Sequence, residues 1–118
     1  MDSRIAKPPY DVFQALCPSR RSFDRIFSRW GILILARLSE APLRFGELHR
    51  AIGGISERML AQTLKALEDE GLVIREQWNE KPPRVDYSLT ESGKRISRSV
   101  SKVIATLYAE LDRDPGDS

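Results

Sequence analysis

At 118 residues with 41% hydrophobic side chains, the chain is long enough for one compact domain with a core and too short to divide into two. Its single cysteine, Cys17, excludes an intrachain disulfide, and one thiol with one histidine, His49, cannot supply a structural zinc site of the usual Cys/His type, so no metal or other cofactor is expected. The formal net charge of +2 is too small to point to a nucleic-acid partner by itself: cations outnumber acids seven to four over 1–40, trail them seven to eight over 41–87 and match them five to five over 88–118.

The segment before Pro18 reads as an arm, because Pro8 and Pro9 block a regular start and 10–16 has room for only a short helix. No part of it has the shape of a signal peptide, and the longest apolar run, 30–36, is far below membrane-spanning length; a soluble, cytoplasmic protein is expected. Helical spacing over 22–30 places Phe23, Ile26, Phe27 and Trp30 on one stripe. A second helix over 30–39 is apolar almost all round and therefore central. Pro42 closes it, and 45–52 opens another helix with Phe45, Leu48 and Ile52 on one side. Gly53 and Gly54 make a tight break. Ser56 then caps a helix to about Glu70 with Gly71 as its stop, and Ile55 and Leu60 have the spacing of a hydrophobic staple. Strand-like residues 72–78, a polar proline-containing tip 79–83 and the alternating 84–89 read as a β-hairpin. Thr90 caps a last helix to about Arg113, leaving 114–118 as a disordered tail. The expected fold is mainly α with a small β-hairpin wing: an arm over 1–17, a winged helix-turn-helix core over 18–89 and a terminal helix over 90–113.

Several ordered stretches resemble the HxlR-type winged-helix regulators of bacteria and archaea over about 16–107. They are Cys17-Pro18, Trp30, Arg44-Phe45-Gly46-Glu47-Leu48, Ile52-Gly53-Gly54-Ile55-Ser56 with Met59-Leu60, and Leu67-Glu68 through Gly71-Leu72-Val73. Pro82-Pro83-Arg84-Val85 with Tyr87-Ser88-Leu89-Thr90, and Gly93, complete the set. The family usually has Gly-x-Lys-Trp before the second helix, where this chain has Phe27-Ser28-Arg29-Trp30. The resemblance implies a dimeric DNA-binding regulator, often a repressor of a neighbouring gene, with the arm and last helix forming the dimer interface. The arm's apolar residues Val12, Phe13 and Leu16 would then face the partner.

On the helix after Ser56, with about 100° per residue and Leu60 at the centre of the buried side, Arg58, Gln62 and Lys65 fall together on the opposite side. The second helix of such a motif enters the major groove. Arg58 suits guanine O6/N7 or a phosphate, Gln62 suits adenine N6/N7, and Lys65 suits a phosphate. Ser56, Glu57 and Thr63 complete the candidate set on this helix. At the hairpin, Asn79, Lys81 and Arg84 are placed to reach sugar-phosphate or an adjacent minor groove, against the opposing charge of Glu76 and Glu80; Arg44, His49 and Arg50 flank the first helix of the motif. Trp30, Phe45 and Tyr87 are read as packing residues.

The apolar stripe Ile96, Val100, Val103, Ile104, Leu107 and Leu111 is longer than one domain of this size needs, and burying its remainder, with Tyr108, against a second copy is the simplest solution. A symmetric dimer predicts a palindromic operator with half-sites about 10 bp apart or a multiple of that. Cys17, beside Pro18, Arg20 and Arg21, is the one candidate sensor of an oxidant or small electrophilic effector, since nearby cations and a helix N-terminus favour the thiolate. Cys17 with His49 is also the only pair worth naming for catalysis, and no carboxylate or glycine loop organises it, so no enzyme is expected. The alternative is a winged-helix module that binds protein without DNA, to which the acidic balance of the middle segment lends weight.

Overall fold

A computed structural model of the chain describes residues 9–113. In chain order it contains α1 (Pro18–Ile26), α2 (Arg29–Leu38), β1 (Leu43–Arg44), α3 (Phe45–Ala51), α4 (Glu57–Asp69), β2 (Val73–Trp78), β3 (Arg84–Leu89) and α5 (Glu91–Leu111). The helix-turn-helix, hairpin and last helix fall where the sequence puts them. The expected tail, 114–118, and the first eight residues of the expected arm lie outside the described residues.

The first two helices are divided differently from the expectation. Pro18 opens α1 at a position where its missing N–H costs nothing, and the break before α2 falls at Phe27-Ser28. Phe27 donates its N–H to the Phe23 carbonyl at 2.8 Å, and the Ser28 hydroxyl accepts from the Gly31 N–H at 3.0 Å. Phe27 sits at φ −97°, open to any residue, so the turn needs no glycine where the family usually has one. Gly31 itself is required: a Cβ there would overlap the Ile26 carbonyl oxygen, so α1 and α2 cross at a point that only glycine allows. The break also turns Phe23 and Phe27 outward, where their rings meet in a tilted pair with centroids 5.1 Å apart instead of joining Ile26 inside.

Ile34 and Leu35 of α2, Leu48 of α3, and Leu60, Leu64 and Leu67 of α4 are essentially sealed from solvent and form the centre of the core. Trp30, Phe45 and Tyr87 pack against its edge, as expected for packing aromatics. Ile55 and Leu60 are both buried in this cluster, in keeping with the staple spacing.

Helix α4 ends in a Schellman arrangement. Gly71 adopts φ +78°, the Leu72 N–H reaches the Leu67 carbonyl at 2.9 Å, and the Gly71 N–H reaches that of Glu68 at 3.0 Å. Thr90 then ties three elements together. Its hydroxyl donates to the Gly71 carbonyl at 2.7 Å and accepts from the Gly93 N–H at 2.9 Å, while its own N–H bonds the Leu72 carbonyl at 3.0 Å. A Cβ on Gly93 would overlap that same Leu72 carbonyl, so α5 starts in direct contact with the end of α4.

The sheet has three antiparallel strands in the order β1-β3-β2. Strand β1 was not expected. It pairs Leu43 with Tyr87 and Arg44 with Asp86, so the inner strand of the hairpin is held from both sides and the hairpin's base is fixed to the entrance of α3.

The two ends of the chain are less enclosed. Residues 9–17 run in turns, without the short helix the sequence allowed, pinned by the Arg20 guanidinium to the Val12 carbonyl at 3.1 Å. Phe13 and Leu16 are 87% and 98% exposed. On α5, Val100 is buried within its own chain and is withdrawn from the expected intersubunit set, whereas Val103, Leu107, Tyr108 and Leu111 are exposed.

Candidate nucleic-acid interface

Ser56 adopts an extended conformation and its hydroxyl accepts from the Met59 N–H at 3.0 Å, which fixes the start of α4. With Leu60, Leu64 and Leu67 committed to the core, the helix presents Arg58, Gln62 and Lys65 together on its exposed side, with Glu57 in its first turn. Thr63 is a correction: its side chain is buried and its hydroxyl donates to the Met59 carbonyl at 2.7 Å, so its polar group is satisfied within the helix and cannot reach a base.

The charges on this surface are unequal. Within the described residues Arg58 forms no ion pair. Lys65 is bound one turn along to Asp69 at 2.9 Å; that hydrogen bond holds the ammonium above its ordinary pKa and the Asp69 carboxyl below its own. Asp69 also meets the Arg25 guanidinium at 3.3 Å, and Arg25 reaches Glu70 at 3.0 Å, so α1 is joined to the C-terminal end of α4 by a shared acid.

The hairpin places Asn79 and Lys81 exposed at its tip. Arg84 is held further back. Its guanidinium lies 5.1 Å from the centre of the Trp78 ring, 3.5 Å from Glu80 and 3.5 Å from Asp86, and its Nε is buried without a hydrogen bond. Asp86 in turn accepts from Trp78 Nε1 at 3.0 Å and lies 4.0 Å from Arg44. Arg84 therefore braces the hairpin through Trp78 and Asp86, and Lys81 is the cation the tip itself offers. The alternation over 84–89 put Arg84 and Asp86 on one face, but Asp86 as the hub between Arg44, Trp78 and Arg84 becomes visible only with the strand register. At the other side of the motif, the Glu47 carboxylate accepts the Arg44 N–H at 2.7 Å and fixes the first turn of α3. Arg44 and Arg50 are exposed and His49 is half-buried.

An HxlR-like helix-turn-helix family model matches residues 25–114, which includes α2 through α5 and the whole of this surface. The chain belongs to the HxlR-like helix-turn-helix family. It is 47% identical over 91 residues to the uncharacterized HTH-type transcriptional regulator YtfH of Escherichia coli, covering 77% of this chain and 72% of that one. The solved structure of ytfH from Salmonella typhimurium superposes with a TM-score of 0.75 at 39% identity, over 88% of this chain and 99% of the other. The redox regulator HypR in its oxidized form superposes at 0.69 with 34% identity, over 83% and 99%. This HxlR-type protein is thus a winged helix-turn-helix DNA-binding transcriptional regulator, and the reading as a module that binds protein alone falls away.

In this regulator Cys17 occupies the N-cap of α1. Its Sγ lies 3.2 Å from the Ser19 hydroxyl and accepts from the Asp11 N–H at 3.4 Å. The Ser19 hydroxyl, and then the backbone N–H groups of Asp11 and Ser19, hold the thiol below its ordinary pKa. Neutral hydrogen-bond donors, more than the neighbouring arginines, favour the thiolate here.

Proposed function

We propose that the regulator binds a palindromic operator as a homodimer and represses transcription, with no catalytic role. The observation that carries the DNA half of this reading is the joint exposure of Arg58, Gln62 and Lys65 on a capped α4 beside the hairpin. Arg58 supplies a bidentate donor for guanine, and Gln62 a donor and an acceptor for adenine. Lys65, Lys81, Arg44 and Arg50 neutralise phosphates, with His49, Asn79 and Arg84 bordering them. The dimer half rests on the apolar exposure of Phe13, Leu16, Val103, Leu107, Tyr108 and Leu111, which is more than a lone domain of this size leaves open without a partner. Ile104 and Val12 flank that surface and are half-buried. Cys17 is the redox- or electrophile-responsive group of the proposal, supported by its lowered pKa and by likeness to a redox regulator. A cytoplasmic location accords with a role on DNA.

Selection of bound genomic fragments, followed by binding titrations at several salt concentrations, tests the proposal. Recovery of a palindromic site with affinity falling steeply as salt rises is the expected result. Recovery of sequences without dyad symmetry, or binding by a monomer of full affinity, sinks the dimer half. Operator affinity unchanged after oxidant, with no adduct or intersubunit disulfide at Cys17, sinks the sensor half.

A further inference from the structure

A cleft of about 340 Å³ opens between α2, the turn joining α3 to α4, and the second half of α5. Leu33 and Ala36 of α2, Ile52 of the turn and Ile104 of α5 give it apolar walls, and Arg37 and Tyr108 stand at its polar side. The volume lies in the range of small-molecule sites, and the mixture of apolar walls with a few polar groups is what such sites contain. Ile104 and Tyr108 point into the cleft from a side of α5 roughly 100° around the helix from Val103 and Leu107. A partner copy can therefore cover Val103 and Leu107 without filling the cleft, with Tyr108 at the border shared by the two surfaces.

Arg37 gives the cleft its chemistry. Its Nε donates to the carbonyl of Ala51, the last residue of α3, at 3.1 Å, and among the described residues it forms no ion pair. The rest of the guanidinium fork remains for a planar anion, which it recognises in bidentate fashion. Glu40 on the same rim opposes a second negative charge on the ligand. We propose that this cleft binds a small monocarboxylate with an apolar ring, its carboxylate on Arg37 and its ring between Leu33, Ala36, Ile52 and Ile104.

Such a ligand couples to DNA through the helix-turn-helix itself. Arg37 caps the end of α3 immediately before Ile52, Gly53 and Gly54, the segment that sets the angle between α3 and α4. A carboxylate that draws Arg37 toward itself changes the hold on that turn and hence the placement of Arg58 and Gln62. This coupling rests on the DNA-reading surface described above, whereas binding to the cleft does not.

Phenylacetate and its neutral isostere phenylacetamide, titrated into the full chain by NMR, separate the two. Saturable shifts at Ala51, Ile52, Gly53, Ser101, Ile104 and Tyr108 are expected with phenylacetate, with phenylacetamide about ten- to a hundredfold weaker, as a lost charge-assisted contact predicts. Arg37→Gln removes the difference between the two ligands. Ala36→Leu, which narrows the cleft from the α2 side and keeps the Arg37 charge, weakens both. No saturable shifts at these residues, equal binding of acid and amide, or indifference to both substitutions overturns the site. Operator affinity measured with and without phenylacetate must shift by the same factor as phenylacetate affinity does with and without operator. Binding in the cleft with operator affinity unchanged overturns the coupling alone, and an operator that fails to bind without ligand points instead to a fault in the DNA-reading surface.

Discussion

The α4 face and the outer half of α5 are both exposed, yet they are finished in opposite ways. On α4 Leu60, Leu64 and Leu67 are spent inside and Met59 is the large apolar side chain left open, and of the outward cations Lys65 already has an acid beside it. On α5, beyond Val100, Ile104 is half-buried but Val103, Leu107, Tyr108 and Leu111 are exposed. One surface is complete in a single chain and waits for a ligand it can do without. The other is incomplete in a single chain, and in the proposed dimer its stability would depend on concentration.

The contrast is most sharply broken by substitution in each region. Leu64→Ala empties a sealed site and is expected to lower unfolding stability by about 2–5 kcal/mol, seen as a lower denaturant midpoint at every protein concentration. Leu107→Asp leaves the domain folded and raises the dimer dissociation constant by about tenfold or more, measured by sedimentation at graded concentrations. If the two substitutions behave alike, the division between a self-sufficient face and a dependent one is wrong.

Within the DNA face, Arg58→Ala is expected to cost about 1–3 kcal/mol of specific binding and relax preference at one operator position. Lys65→Ala weakens all sequences nearly evenly and lowers the salt slope by about 1. Anisotropy titrations on operator and scrambled duplexes distinguish them.

The smallest effect concerns Cys17. Because the folded thiol titrates below its ordinary value, its alkylation by iodoacetamide should reach half-maximal rate at lower pH than free cysteine, and Ser19→Ala should move that midpoint upward. For stability the sign follows from the depressed value. The contribution is present in full above the thiol's ordinary pKa and is lost as pH falls through the folded one. A midpoint unmoved by Ser19→Ala would show that the hydroxyl is not the cause.

How much was legible in the sequence follows from which signals were local. The α4 helix carried its own cap, staple and glycine stop, so both its limits and its outward side could be read, apart from Thr63, whose small side chain fits the core and back-bonds Met59. Strand β1 was hidden because two residues hold no period; only pairing with Tyr87 and Asp86 makes them a strand. Phe23 and Phe27 fitted a helical stripe with Ile26 and Trp30, but a turn at Phe27-Ser28 interrupts the phase. Arg84 was legible as a cation and not as a brace, since Trp78 and Asp86 meet it across the strands.

The acid shared by Lys65 and Arg25 has a consequence for how the protein searches a chromosome. Asp69 acts as a built-in counterion, so any phosphate must compete with it before Lys65 changes partner. That competition is the same on every sequence and subtracts evenly from the hold on right and wrong sites, while the base contacts proposed for Arg58 and Gln62 would be untouched by it. Brief dwell on random DNA and quick release are what such a leash provides; Asp69→Asn should lengthen every unproductive stop.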